Sequence, residues 1–151
     1  MSDTENAAQE PVVEAVALVD IDGDGTIDAI VAVEDNGDTT TFVDVDGDGT
    51  VDAVITTVED GGTVVAIDED GDGTADVLLV DVDGDGTIDV VVTTTEDGGT
   101  IMAVDEDGDG TADFLLVDVD GDGTVDAIAT LDENGDIVEV VEVEETTADD
   151  A

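Results

Sequence analysis

Apolar residues run through this chain in short blocks, and each block is stopped by a patch of Asp and Gly. The segments 27–34, 51–58, 88–95 and 125–131 are rich in Val, Ile and Thr. These side chains are stiff at χ1 and fit a pleated, half-buried surface better than a helix. No block reaches the roughly 10–12 residues that would favour a helix, so the blocks are predicted to be strands. Asn36-Gly37, Gly61-Gly62, Gly98-Gly99 and Asn134-Gly135 lie between such blocks. Those dipeptides supply the positive φ angles of tight hairpin turns. The pattern therefore predicts an all-β chain of about eleven short strands.

Several blocks, such as Ala29-Ile30-Val31-Ala32-Val33 and Val77-Leu78-Leu79-Val80, are apolar on both faces. That implies cover on both sides, by a second sheet or by adjacent coils. If every connector reverses the chain, the result is an antiparallel meander folded into a sandwich or barrel. If the connectors act as corners, it is a β-solenoid in which the loops beginning at residues 44, 81 and 118 stack in a column. The meander is favoured, because Asn-Gly, and Gly-Gly after Glu-Asp, have the character of reversals.

The blocks repeat. Residues 44–80 and 81–117 align without gaps over 37 positions and differ at 8, always at an apolar or Thr position, such as Val51 against Ile88 or Val77 against Phe114. Partial units precede and follow them at 20–43 and 118–143. One β-repeat domain is expected over 12–143, with disordered acidic ends at 1–11 and 144–151.

Charge changes this picture. The chain has 46 acidic residues in 151 and no Lys, Arg or His, a formal net charge of −46 with no internal counter-charge. Self-repulsion on that scale opposes a compact state, so a cation from outside is called for. Nucleic-acid binding through phosphates and attraction to anionic membranes both need basic residues and are not expected. Without Cys or His, zinc, copper and haem sites are not expected either. Catalysis is not expected, since Cys, His, Lys and Tyr are missing and Ser2 is the only serine. The first residues have neither a basic n-region nor an apolar h-region, which predicts a cytoplasmic chain; an extracellular setting stays open if the chain is an excised piece. The charge works against pairing of strand edges between copies, so a monomer is expected.

The acids are not scattered. The nonapeptide Asp-x-Asp-Gly-Asp-Gly-Thr-x-Asp occurs six times. Position 1 is Asp20, Asp44, Asp68, Asp81, Asp105 or Asp118, and position 3 is Asp22, Asp46, Asp70, Asp83, Asp107 or Asp120. Position 5 is Asp24, Asp48, Asp72, Asp85, Asp109 or Asp122, and position 9 is Asp28, Asp52, Asp76, Asp89, Asp113 or Asp126. A hard cation such as Ca²⁺ takes six to eight oxygen ligands at about 2.3–2.6 Å, and these carboxylates converge if the chain curls tightly. Gly at position 6 (Gly25, Gly49, Gly73, Gly86, Gly110, Gly123) permits that curl. Position 7 is Thr26, Thr50, Thr74, Thr87, Thr111 or Thr124, whose backbone carbonyl is the expected further ligand. Asp and Gly also favour ordinary turns, but a turn needs only one or two of them. About six Ca²⁺ ions are expected, with Mg²⁺ or a lanthanide as possible substitutes.

The loop resembles the calcium loops of EF-hands, dockerins, thrombospondin type 3 repeats and the FG-GAP repeats of β-propellers. An EF-hand places a bidentate Glu at position 12, where this chain has Val31, Ile55, Leu79, Val92, Leu116 or Ala129. An Asp at position 9 running straight into an apolar strand is closest to the FG-GAP version. The resemblance covers roughly 18–131 and implies the loop chemistry, but not a propeller, since 37 residues are short for a four-stranded blade. Two loops carry Glu at position 2 and Ala at position 8 (Glu69 with Ala75, Glu106 with Ala112), where the others carry Val or Ile. Position 2 is expected to point away from the metal, and two classes of site are expected. Folding coupled to metal, in a calcium buffer or sensor, is the favoured role. A calcium-rigidified structural or adhesion module and a polyanion for mineral or high-salt settings are the alternatives.

Overall fold

The computed structural model describes residues 12–144, so the expectation of disorder at 1–11 and beyond 144 falls outside the described residues. Eleven strands follow one another: β1 (Val13–Val19), β2 (Ala29–Glu34), β3 (Thr39–Val43), β4 (Ala53–Thr57), β5 (Thr63–Ile67), β6 (Val77–Asp81), β7 (Val90–Thr94), β8 (Thr100–Val104), β9 (Phe114–Asp118), β10 (Ala127–Leu131) and β11 (Ile137–Glu142). They form one sheet in sequence order, every neighbouring pair antiparallel. The meander is what the reversal chemistry of the connectors predicts, and no helix occurs among the described residues.

In a meander each connector lies at the opposite rim of the sheet from the one before. One rim, called upper here, carries the acidic loops 20–28, 44–52 and 68–76, then the turn 95–99, then the loop 118–126. The lower rim carries the turns 35–38 and 58–62, then the loops 81–89 and 105–113, then the turn 132–136. The solenoid alternative, with the loops at 44, 81 and 118 in one column, is thereby corrected: the middle loop lies at the opposite rim. The reason is parity, since a 37-residue unit holds three strands (β4–β6, then β7–β9), and an odd number turns the next unit upside down.

The same parity exchanges the faces. Val54, Ala66, Leu78 and Val92 are successive cross-strand partners and share a face. The counterpart of Val54 one unit on is Val91, beside Val92 in β7 and so on the other face. Successive units are thus related by a half-turn about the line along which the strands stack. A position that is apolar in one unit places apolar side chains on both faces of the array, so both faces read as apolar.

Neither closure into a barrel nor a second covering sheet occurs among the described residues, which corrects the expectation of strands covered on both sides. Strands touch only their sequence neighbours. Among the described residues no large side chain is fully buried, and the buried apolar ones are two alanines, Ala29 and Ala129. Cohesion therefore comes from the ladder and from cross-strand pairs of Val, Ile, Leu and Thr, each worth about 0.2–1 kcal/mol.

The two kinds of tight turn have different neighbours. The turn 58–62 lies beside the loop 81–89 on the lower rim, and the turn 95–99 lies beside the loop 118–126 on the upper. In both cases backbone packs on backbone. A methyl group on Gly62 would meet the Val82 carbonyl oxygen at 2.9 Å, and one on Gly99 the Val119 carbonyl oxygen at 2.7 Å. Both glycines are buried. Their second glycine is therefore a packing requirement, beyond the one that the turn itself imposes.

Candidate metal centre

Each acidic loop begins where one strand ends and finishes where the next begins. The N–H of position 9 closes it by donating to the carbonyl just before position 1, as from Asp28 to Val19 at 2.9 Å and from Asp113 to Val104 at 2.7 Å. Inside, the carboxylates fold the loop. The position 1 carboxylate accepts from both glycine N–H groups: Gly47 donates to Asp44 Oδ1 at 2.7 Å and Gly49 to Oδ2 at 2.8 Å. The same pair of bonds recurs at Asp20, Asp68, Asp81, Asp105 and Asp118. Both glycines have positive φ, 75° at Gly47 and 93° at Gly49, which aims successive N–H groups inward. The role of the glycine at position 4 was not part of the sequence reading. Its signal was there, because Asp-Gly-Asp-Gly is unbroken in all six copies.

Position 9 reaches back across the loop. Asp52 Oδ2 accepts from the Val45 N–H at 2.6 Å, and Asp89 Oδ2 from the Val82 N–H at 2.5 Å. Position 3 accepts from the N–H of position 5, as from Asp48 to Asp46 Oδ1 at 3.0 Å. Position 5 accepts from the Thr N–H at position 7, as from Thr87 to Asp85 Oδ1 at 2.7 Å. In three loops the Thr hydroxyl also donates to that oxygen, Thr26 to Asp24, Thr50 to Asp48 and Thr124 to Asp122.

This scaffolding leaves oxygens converging. Carboxylate oxygens within 4.8 Å of one another are offered by Asp20, Asp22 and Asp28, by Asp44, Asp46 and Asp48, and by Asp68, Asp70 and Asp76. The lower rim has Asp81, Asp83 and Asp85, and Asp105, Asp107 and Asp113. Positions 1 and 3 are thus brought together in all five of these loops, joined by position 9 in three and by position 5 in two. Loop 118–126 has the same internal hydrogen bonds. Two oxygens on opposite sides of one Ca²⁺ lie about 4.6–5.2 Å apart, twice the metal–oxygen distance. Separations up to that length are compatible with a single cation between the carboxylates, and the donor set is all oxygen, as a hard cation requires.

Burial and charge agree with that use. Positions 3 and 5 are exposed, whereas Asp81 and Asp105 at position 1 are buried. Position 2 points outward, with Ile21, Val45, Val82 and Val119 all strongly exposed. The Asp48 carboxyl is held below its ordinary value by the Thr50 hydroxyl and then the Thr50 N–H, and Asp24 is lowered in the same way by Thr26. Asp68 is lowered, chiefly by the Gly73 N–H. Asp70 is raised. The Asp72 N–H bond lowers it, but desolvation and the charges of Asp72, Asp76 and Asp68 together prevail. A proton is one answer to that crowding of negative charge, and a divalent ion is another.

An EF-hand family model matches residues 111–128. The matched stretch contains β9, all of loop 118–126 and the first residues of β10, so it covers strands on either side of a loop where an EF-hand has helices. No curated protein and no solved structure matched the chain. The match and the clustered carboxylates fit a calcium-binding repeat and point to a metal ion, plausibly Ca²⁺, as the ligand.

Proposed function

We propose that this chain is a calcium-binding repeat protein that takes up about six ions, one in each Asp-x-Asp-Gly-Asp-Gly-Thr-x-Asp loop, and that its folding is coupled to their binding. The observation that carries the reading is the convergence of carboxylates from positions 1 and 3 in loop after loop, in a chain with no cationic side chain to balance them. Positions 5 and 9 and the Thr carbonyl of position 7 complete the shell on binding. Because the ion favours the folded form, its affinity becomes folding free energy. The role is that of a non-catalytic calcium buffer or sensor, acting as a monomer in the cytoplasm. The FG-GAP-like placement of position 9, directly before a strand, fits ion capture between strands without flanking helices. Mg²⁺ demands shorter bonds of about 2.0–2.1 Å and sheds water reluctantly, so it substitutes poorly; lanthanides substitute well.

A second reading has its own support. The strands form a linear array in which each touches only its neighbours, a form suited to a calcium-rigidified spacer. Affinity separates the two, since a spacer in a millimolar-calcium setting needs only about 10⁻⁴–10⁻³ M. Isothermal titration of calcium into chelator-treated protein tests the proposal. Saturation near six equivalents, with magnesium far weaker, is expected. Diffuse uptake that never saturates would leave a solvated polyanion instead.

A further inference from the structure

Three hydrogen bonds join one acidic loop to the next. The Asp44 N–H donates to the Asp28 carbonyl at 2.8 Å, the Asp68 N–H to the Asp52 carbonyl at 2.9 Å, and the Asp105 N–H to the Asp89 carbonyl at 2.8 Å. In each case position 9 of one loop is bonded to position 1 of the next loop on the same rim. The cause is topological. Hairpins β2–β3, β4–β5 and β7–β8 each have a tight turn at one end, so their open ends are flanked by two acidic loops. The ladder runs one step past the strands and ties those loops together.

Elsewhere the relay is broken. The Asp76 carbonyl accepts from Thr94 and the Asp113 carbonyl from Leu131, both strand residues rather than the start of a loop. After each of these loops the next loop lies at the opposite rim, beyond the full length of β6 or β9. The break coincides with a change in sequence, because 68–76 and 105–113 are the two loops with Glu at position 2 and Ala at position 8.

We propose that the six loops bind calcium as three coupled blocks: 20–28 with 44–52 and 68–76, 81–89 with 105–113, and 118–126 alone. The proposal rests on the calcium reading above and adds how the sites influence one another. An ion that fixes the position 9 carboxylate also fixes the following peptide. Its carbonyl then holds the next loop's position 1 residue in the ligating geometry, so the second ion meets a site already ordered. A pre-ordered site loses less conformational freedom on binding, which is positive coupling. No such relay crosses from one block to another.

The test is a calcium titration of the ¹⁵N-labelled full chain, following the amides of Gly25, Gly49, Gly73, Gly86, Gly110 and Gly123. Each donates to the position 1 carboxylate of its own loop. Gly25, Gly49 and Gly73 are expected to share one midpoint, Gly86 and Gly110 a second, and Gly123 to follow its own. The double variant Asp46→Asn/Asp48→Asn then silences the central loop of the first block. Both residues are exposed, and asparagine keeps an Oδ1 acceptor, so the loop's own hydrogen bonds persist. The two lost charges equal those that one bound Ca²⁺ would cancel, so a purely electrostatic effect on the neighbours is matched. The midpoints of Gly25 and Gly73 are expected to rise at least about fivefold, the lower end of typical allosteric coupling, with Gly86, Gly110 and Gly123 unmoved. The parallel variant Asp120→Asn/Asp122→Asn is expected to leave the other five loops unmoved. Six unrelated midpoints, or an equal shift at all five remaining loops, would overturn the coupling while leaving calcium binding intact. Glycine amides that ignore calcium altogether would overturn the calcium reading and the coupling with it.

Discussion

Position 4 of the acidic loop offers one substitution in two surroundings. Gly47 and Gly84 are both at position 4, with φ of 75° and 76°. A methyl group on either forces an L-residue into the left-handed region, at about 1–2 kcal/mol. Around Gly47 there is nothing within 4 Å of that methyl. At Gly84 it would lie 2.7 Å from both the carbonyl carbon and the carbonyl oxygen of Gly61, and those are backbone atoms of a turn that cannot rotate aside. Overpacking of this kind costs about 1–3 kcal/mol more. Gly84→Ala should therefore melt below Gly47→Ala by roughly 2–12 °C, using about 2–4 °C per kcal/mol for a chain of this size. The two melts are compared by circular dichroism in the same calcium-containing buffer. Because both changes fall at the same loop position, their effects on ion binding are matched. Equal melting temperatures would refute the claim that the Gly-Gly turn is seated against the following loop.

The remaining predictions concern the charges. Asp24, Asp48, Asp68 and Asp132 hold their protons less tightly folded than unfolded; at Asp132 the Asn134 and Asp136 N–H groups are the cause. Their stabilisation is complete above the ordinary value of 3.8 and is lost as pH falls through their lower folded values. Asp70 has the opposite sign, favouring the fold while protonated and losing that contribution as pH rises through its raised value; carboxyl ¹³C titration of the metal-free protein, folded by charge screening in about 1 M NaCl, reads both directions. Thr50→Val removes the hydroxyl that holds Asp48 down, so the same titration should show Asp48 returning toward 3.8. Asp81→Ala strips the acceptor from the Gly84 and Gly86 N–H groups at a buried position and should cost about 2–4 kcal/mol in urea unfolding, whereas Asp81→Asn should cost less. Raising NaCl from 0.01 to 1 M shortens the screening length from about 30 to about 3 Å, so the weak β signal of the metal-free chain should grow; a flat profile would show that repulsion does not govern stability.

Much of the fold was legible in the chain. Short β-branched blocks between Asn-Gly, Gly-Gly and Asp-rich punctuation gave the strands and the meander, since those signals act over a few residues. The expectation of a second covering layer failed because apolar residues on both faces have another cause. With three strands per unit, Val54 and its counterpart Val91 fall on opposite faces, so alternating exposure is shared between units. That parity was countable from the sequence, as was the consequence that loop 81–89 sits opposite loop 44–52. The loop chemistry was legible as carboxylate spacing, and the outward direction of position 2 agrees with the exposure of Val45 and Val82. The seating of Gly62 and Gly99 was not legible, because it depends on the carbonyls of Val82 and Val119 in the following connectors, remote in the sequence. The bonds from the N–H groups of Asp44, Asp68 and Asp105 to the carbonyls of Asp28, Asp52 and Asp89 were hidden for the same reason: they require the hairpin register.

The central claim is that metal and fold are coupled, and far-UV circular dichroism of the chelator-treated chain during calcium addition tests it most directly, with magnesium as the control. The account predicts a weak β signal without metal that rises cooperatively and saturates near six equivalents of calcium. A β spectrum already complete without metal, or one that stays disordered at millimolar calcium, would contradict it.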